Sequence, residues 1–402
     1  MSASGYTGAA YIIFGQTGDQ QSIDLNNIAG GTGGFRIAGA APGDLAGTSV
    51  AAAGDINGDG LQDIILGATN HSIPVVDPVT GDTNFVLYAG AAFVVYGTTE
   101  APSSIDLNDV AAGTGGFRII QSGSFSDLGH SVSAAGDMNG DGFDDLVLSS
   151  DGFDSSDRIA HVIFGTGQAL PGVDLDDIPI STDGFRIIGD GLSTSGHTVR
   201  SAGDVNGDGL DDLIIGDPND DENGFQSGSS WVVFGSENPE SNIFLEDIAQ
   251  GIGGFQIIGE SSGDKAGVSI SSAGDINGDG IDDMIVGAAG NDSGATSAGA
   301  AYVVFGSVEG HSSLNLQDIA QGKGGFKVEG TSNFDRAGAS VSAAGDINGD
   351  GFDDILVGAP DFRGNGVLER GASFVVLGFD IAITDKITAL GTSANDVLTG
   401  TA

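Results

Sequence analysis

Asp, Asn, Asp and Asp recur five times at positions 1, 3, 5 and 9 of a nonapeptide, D-x-N-G-D-G-x-x-D, beginning at Asp55, Asp137, Asp204, Asp275 and Asp346. Every side-chain donor in the pattern is an oxygen, and the glycines at positions 4 and 6 let the turn close tightly. That is the donor set of a hard cation. Ca2+ takes about 6–8 oxygens at about 2.3–2.6 Å, and a backbone carbonyl at position 7 completes the list. The expected ligands are therefore Asp55, Asn57, Asp59, Leu61 and Asp63; Asp137, Asn139, Asp141, Phe143 and Asp145; Asp204, Asn206, Asp208, Leu210 and Asp212; Asp275, Asn277, Asp279, Ile281 and Asp283; and Asp346, Asn348, Asp350, Phe352 and Asp354. A bare Asn-Gly-Asp-Gly turn explains one copy, but five copies that keep every oxygen position argue for metal, about five Ca2+ in all, one per loop.

The opening half of the pattern is shared with the EF-hand loop, but the rest is not. An EF-hand needs a bidentate Glu at position 12, and that place is held by Leu66, Leu148, Ile215, Val286 and Val357. The flanks, Ser49-Val-Ala-Ala-Ala-Gly and Ile64-Ile-Leu-Gly-Ala, are short runs of small and β-branched residues that suit strands. Each loop is thus expected to join two strands of a hairpin.

The elements that must position these loops repeat with them. Successive loops start 82, 67, 71 and 71 residues apart. A period contains a small-residue strand (Ser131-Val-Ser-Ala-Ala), the loop, an apolar strand (Leu146-Val-Leu), a variable stretch, an aromatic-aliphatic strand (His161-Val-Ile-Phe), a polar connector and an outer strand (Gly184-Phe-Arg-Ile-Ile). Connectors read like Ile23-Asp-Leu-Asn-Asn-Ile28 and Leu314-Asn-Leu-Gln-Asp-Ile319. Four antiparallel strands repeated radially form a β-propeller blade, with the smallest residues innermost. The expected fold class is therefore all-β: five calcium-loop repeats preceded by a half repeat, Ala9 to Ala38. A β-helix has far shorter coils, and independent hairpins leave their edges unpaired.

Composition bounds the partners. The 402 residues carry 56 acidic and 12 basic side chains, a formal net charge of −44, which disfavours nucleic acid and anionic membranes. Five bound Ca2+ would bring the charge to −34. With no cysteine, stability must come from packing and metal. No stretch reads as a signal peptide or a membrane span. Calcium loops of modest affinity fill where free Ca2+ is plentiful, so a secreted or cell-surface location is expected.

On these residues the chain resembles the FG-GAP repeat family, the propeller repeats of integrin α subunits and of many large secreted bacterial proteins. Phe-Gly stands at Phe14-Gly15, Phe164-Gly165, Phe234-Gly235 and Phe305-Gly306, with Tyr96-Gly97 and Leu377-Gly378 as variants. Gly-Ala-Pro is complete at Gly358-Ala-Pro360, partial at Gly67-Ala68, Gly216-Asp-Pro218 and Gly287-Ala288, and lost at Leu148-Ser-Ser-Asp. The resemblance spans about residues 8–378 and implies calcium in the hairpin between the first two strands of a blade, serving adhesion or recognition. Family members commonly close with seven blades; here the outer strand Gly34-Phe-Arg-Ile37 either returns to complete the fifth repeat or belongs to a longer array. Residues 1–380 are expected as one propeller domain, and 381–402 as a tail whose Gly391-Thr-Ser-Ala-Asn-Asp-Val-Leu-Thr-Gly-Thr401 resembles one degenerate haemolysin-type calcium repeat.

No catalytic constellation emerges. His71, His130, His161, His197 and His311 fall at unrelated places and read as surface or strand-face residues. Asp144-Asp145, Asp211-Asp212, Asp282-Asp283 and Asp353-Asp354 are paired carboxylates, but the second of each is the ninth ligand and the first reads as a solvated neighbour. Trp231 holds the place of Phe93, Tyr302 and Phe374 and reads as a strand aromatic. The sequence points to a non-enzymatic adhesion or interaction module with a protein or glycan ligand at the cell surface or matrix. The alternative is a carbohydrate-binding or accessory propeller of a larger secreted hydrolase or lyase.

Overall fold

The computed structural model describes residues 7–15, 22–76, 82–100, 102–121, 126–150, 158–176, 183–189, 198–363 and 371–380; the expected tail, 381–402, and His197 lie outside them. The chain divides into two compact units, one from Met1–Ala134, Gly142–Ile187 and Glu240–Asn242, the other from Ala135–Asp141, Ile188–Pro239 and Ile243–Ala402.

In the first unit Ala9–Ile13 pairs antiparallel with Gly34–Ala38. The first repeat follows as Val50–Gly54, Asp63–Ala68, Ala91–Val95 and Gly116–Ile120, each strand antiparallel to the one before. The second continues with Asp145–Ser149, Arg158–Ile163 and Gly184–Ile188 side by side. The second unit carries the third repeat (Thr198–Gly203, Asp212–Asp217, Ser229–Val233, Gly254–Ile258) and the fourth (Ala266–Gly274, Asp283–Ala288, Ala300–Val304, Gly325–Glu329) in the same order. The fifth has three strands among the described residues, Ser340–Gly345, Asp354–Ala359 and Ala372–Val376. These are blades of propeller type.

The strand chemistry explains the layering. Second and third strands are covered on both faces, so they are continuous apolar runs: Asp283–Ala288 and Ala300–Val304 are buried at every position. Each fully buried Val, Leu, Ile or Phe contributes roughly 1.5–3 kcal/mol. Ile214, Val232, Phe255, Met284, Val286 and Tyr302 belong to one such core, and Ile65, Val94, Phe117, Leu146 and Leu148 to another. Trp231 lies in its strand opposite Ile215 and Gln256 and is only 7% exposed, the strand aromatic expected of it.

The connectors are more ordered than their polar sequences imply. Each of four contains a helical turn, Leu25–Ala29, Leu107–Ala111, Leu245–Ala249 and Leu316–Ile319. In the second, Asp106 caps the turn by accepting the Asn108 N–H, and Leu107 and Val110 are buried beneath it. Three connectors add a short parallel strand to the outer strand of the preceding sheet: Ser104–Asp106 on Gly34–Ala38, Val173–Asp174 on Gly116–Ile120, and Leu314–Asn315 on Gly254–Ile258. Within the extra length of the first repeat, Ile73–Val76 pairs antiparallel with Thr83–Val86.

Candidate functional site

Every acidic nonapeptide sits between two neighbouring strands of one sheet, as its flanks require, and in the first, third, fourth and fifth the strands are antiparallel and the register slips at the last residues before the loop. Inside the loop the side-chain oxygens are organised by backbone N–H groups. Asp204 Oδ1 accepts from Gly207 and Asp208 at 2.7 and 3.1 Å, and its Oδ2 accepts from Gly209 at 2.9 Å. Asn206 Oδ1 accepts from Asp208 and Asp208 Oδ1 from Leu210. The same bonds recur around Asp275 and Asp346. This pattern follows from short Asx side chains reaching back to amides two to five residues on.

Position 9 is different in kind, because it is buried. Asp63, Asp212, Asp283 and Asp354 are at most 1% exposed, and each spans two backbone donors. Asp283 Oδ2 takes the Ile276 N–H at 3.1 Å, and its Oδ1 takes the Gly306 N–H at 2.9 Å. Gly306 is the glycine of Phe-Gly; Gly97, Gly165, Gly235 and Gly378 donate to Asp63, Asp145, Asp212 and Asp354 in the same way. A Cβ added at Gly306 would stand 2.3 Å from the Asp282 carbonyl oxygen, so glycine is required by close approach. The phenylalanine beside it packs on the outer-strand aromatic: Phe305 on Phe326 at 6.1 Å and Phe234 on Phe255 at 5.9 Å between ring centroids. Thus Phe-Gly does two things, one for the core and one for the loop.

Burial pushes Asp63 up to about 6 and Asp212 and Asp283 up to about 8, against the hydrogen bonds that pull each back. At the exposed Asp346 the backbone N–H of Gly351, then those of Gly349 and its neighbours, hold the carboxyl below its usual range.

Position 8 departs from expectation. Asp144, Asp211, Asp282 and Asp353 reach into the preceding loop and accept the N–H of its first residue: Asp55 at 2.7, Asp137 at 2.8, Asp204 at 2.9 and Asp275 at 3.0 Å. In the last three pairs the position 8 N–H also donates to the position 1 carbonyl, at 3.2 Å each. The contact requires a glycine just before each loop: Gly54, Gly136, Gly203 and Gly274 lie at φ 64–78°, and an added Cβ would meet the next repeat's Asp at 2.1–2.3 Å. Position 7 likewise touches its neighbour. Phe143 covers Gly58 and Phe352 covers Gly278, where an added Cβ would meet the ring at 2.4 and 2.3 Å. The signal for this brace in the sequence is the Asp at position 8 of the second to fifth repeats, Asp144, Asp211, Asp282 and Asp353, where the first repeat has Gln62.

Two buried polar clusters carry no signal in the sequence. His71 is not the surface or strand-face residue that its isolation suggests: it is 6% exposed, its Nδ1 lies 2.8 Å from Asp44 Oδ2 and its Nε2 lies 3.2 Å from an Arg118 nitrogen. In the fourth repeat Glu260 receives Lys327 Nζ at 2.7 Å and the Tyr302 hydroxyl, while Asn291 donates to Asp264 at 2.7 Å. Burial raises the Glu260 carboxyl, but the bonds from Lys327 and Tyr302 outweigh it and the net shift is downward. These groups satisfy one another, which is the signature of structural polar cores.

Among the described residues no three carboxylate or imidazole groups are gathered closely enough to hold a metal ion. The donor chemistry nonetheless fits Ca2+: each loop offers only oxygens, and an oxygen that accepts one N–H keeps a second lone pair.

A family model for the FG-GAP repeat matches residues 46–93, 128–169, 196–233, 266–304 and 337–376, together just over half of the chain. The chain belongs to the FG-GAP repeat family. Each FG-GAP match runs from the inner strand through the loop to the third strand. Integrin alpha pat-2 of Caenorhabditis elegans is 31% identical over 238 residues, 58% of this chain and 18% of the relative. Integrin alpha-5 of Xenopus laevis is 28% identical over 261 residues, 62% of this chain and 22% of the relative. Phosphatidylinositol-glycan-specific phospholipase D of Homo sapiens is 27% identical over 254 residues, 60% of this chain and 27% of the relative. The FG-GAP segment thus spans about a fifth to a quarter of the length of these relatives.

Proposed function

We propose that the chain is an extracellular, non-catalytic recognition module whose five nonapeptides each take one Ca2+, through the oxygens of positions 1, 3, 5 and 9 and the carbonyl of position 7. The observation that carries this reading is the buried carboxylate at position 9. An ionised Asp at that depth beside two further acids is costly without a counter-charge. A divalent cation supplies it, and binding energy then becomes folding energy. The chain's own residues do the rest: positions 1 and 9 bind the two strands of a hairpin together, and position 8 ties the loop to its neighbour. Residues 1–380 form one such module in this reading, and its similarity to integrin α subunits supports a protein or glycan ligand at a cell surface or matrix.

Calorimetric titration of chelator-stripped protein is expected to count about five ions, and Asp59→Ala to remove one of them, while Asp109→Ala at an exposed connector removes none. Uptake of far fewer ions, or equal stoichiometry in both variants, would overturn the assignment. The similarity to a phosphatidylinositol-glycan-specific phospholipase D favours a second reading, an accessory domain of a larger hydrolase. A catalytic module flanking this segment in a parent chain, with hydrolysis that falls when the segment is deleted, separates the second reading from the first.

A further inference from the structure

All five nonapeptides place an asparagine before a glycine, at Asn57-Gly58, Asn139-Gly140, Asn206-Gly207, Asn277-Gly278 and Asn348-Gly349. In an Asn-Gly pair the backbone amide attacks the side-chain carboxamide most readily, because glycine puts no Cβ in the way. The hexapeptide Asp-Ile-Asn-Gly-Asp-Gly is the same in the first, fourth and fifth loops, so nothing in the local sequence separates those three. Their hydrogen bonds do.

The reaction needs an electrophile, a nucleophile and a leaving group. The electrophile, the asparagine Cγ, is polarised alike in every loop, since its Oδ1 accepts the N–H of the position 5 aspartate at 2.8–2.9 Å. The nucleophile is not alike. In four loops the position 1 carboxylate holds the glycine N–H: Asp137 that of Gly140 at 2.8 Å, Asp204 that of Gly207 at 2.7 Å, and Asp275 and Asp346 those of Gly278 and Gly349 at 2.6 Å. In the first loop Asp55 Oδ1 takes the Asp59 N–H at 3.0 Å, and the Gly58 N–H has no acceptor among the described residues.

The leaving group divides the loops again. Nδ2 of Asn139, Asn277 and Asn348 donates to Asp141, Asp283 and Asp350 at 3.1, 3.2 and 2.9 Å, which fixes the carboxamide plane, whereas Nδ2 of Asn57 and of Asn206 makes no such bond. The first loop alone leaves both groups unheld by any described residue. Its Asp59-Gly60 pair is guarded even so, because Asp55 Oδ2 binds the Gly60 N–H at 2.8 Å. Crowding does not account for the difference, since Phe143 covers Gly58 as Phe352 covers Gly278. Nor does exposure: Asn57 is half-buried, between the buried Asn277 and the exposed Asn348.

We propose that Asn57 is the site of a spontaneous modification, deamidation through a cyclic imide, from which hydrogen bonds shield the other four asparagines. The Gly58 nitrogen gives up its proton and adds to Asn57 Cγ, the Cγ–Nδ2 bond breaks, and Nδ2 leaves with a proton as ammonia. Water then opens the imide at either carbonyl, giving aspartate or, with one more methylene in the main chain, isoaspartate. The longer chain draws Asp59 away from the two oxygens that hold its N–H, Asp55 Oδ1 and Asn57 Oδ1, so the first loop alone loses its form. The inference does not rest on the calcium reading, because every group in it belongs to the chain.

The test follows each asparagine of the full chain by peptide mapping and mass spectrometry, in metal-free folded protein at neutral pH and again in denaturant. In the folded chain Asn57 is expected to convert at least about tenfold faster than Asn139, Asn277 and Asn348, the factor by which a charged acceptor holds its donor, with Asn206 between them. In denaturant the three identical hexapeptides should convert at one rate. Asp204→Ala frees the Gly207 N–H and should bring Asn206 level with Asn57. A folded chain in which the exposed Asn348 converts first would overturn the proposal, because exposure then decides. Equal folded-state rates at Asn57 and Asn277 refute it too, as does a lead of Asn57 over Asn277 and Asn348 that survives in denaturant.

Discussion

The fourth and fifth nonapeptides, Asp275–Asp283 and Asp346–Asp354, differ only at position 7, where Ile281 stands in one and Phe352 in the other. Their internal backbone N–H bonds to carboxylates match, from the amides held by Asp275 and Asp346 to the glycine amides held by Asp283 and Asp354, and only the position 3 side chain differs, Asn277 Nδ2 donating to Asp283 and Asn348 Nδ2 to Asp350. Their surroundings do not match. Ile276 is sealed beneath the fifth repeat and the Asp275 N–H is bound by Asp353, while Ile347 is open to solvent. The loop conformation is therefore local chemistry, and the seal over it comes from a neighbour some 78 residues away.

Breaking the local part should have the largest effect and should ignore the neighbour. Asp283→Ala strips acceptors from two buried backbone N–H groups, each worth about 1–3 kcal/mol when left unsatisfied. Asp354→Ala is expected to destabilise by a similar amount, on the order of 2–4 kcal/mol by denaturant unfolding in calcium. A much smaller loss at Asp354 would show that position 9 depends on its neighbour after all.

Proton linkage sharpens the comparison at intermediate size. Asp212 and Asp283 have folded-state pKa values near 8 and Asp63 near 6, all above the ordinary carboxylate value of 3.8. A raised acid favours the folded state when protonated, so its contribution is complete below about pH 4 and is lost as pH climbs through 6 and 8. Metal-free protein should consequently melt higher at pH 5 than at pH 8.5, and calcium should reverse that order by favouring the carboxylate. A metal-free melting curve that rises with pH would contradict the burial argument.

The brace should show the smallest effect and the clearest asymmetry. Asp353→Ala removes one charge-assisted bond between repeats and should cost about 1–2 kcal/mol, with faster exchange of the Asp275 amide. Gln62→Ala at the same position of the first repeat should change stability by less than about 0.5 kcal/mol. Equal losses would mean that position 8 acts within its own loop.

Much of the molecule could be read from residue types alone. The oxygen pattern placed the loops, the β-branched flanks excluded helices, and the spacing of Phe-Gly and Gly-Phe pairs marked the third and outer strands now seen to pack ring on ring. What escaped was long-range in every case. Nothing adjacent to Asp282 says that it will meet Asp204, nothing around His71 announces Asp44 and Arg118, and the parallel strand Leu314–Asn315 has no alternation long enough to see.

By itself, then, the amino-acid order determined the repeat, its four strand types and the conformation of each acidic turn, because those depend on contacts within about ten residues and on side-chain shape. Only the tertiary structure decided which carboxylates are buried and which reach across to the next repeat. Those outcomes depend on what packs against a group, and for the same nonapeptide that differs from one repeat to the next.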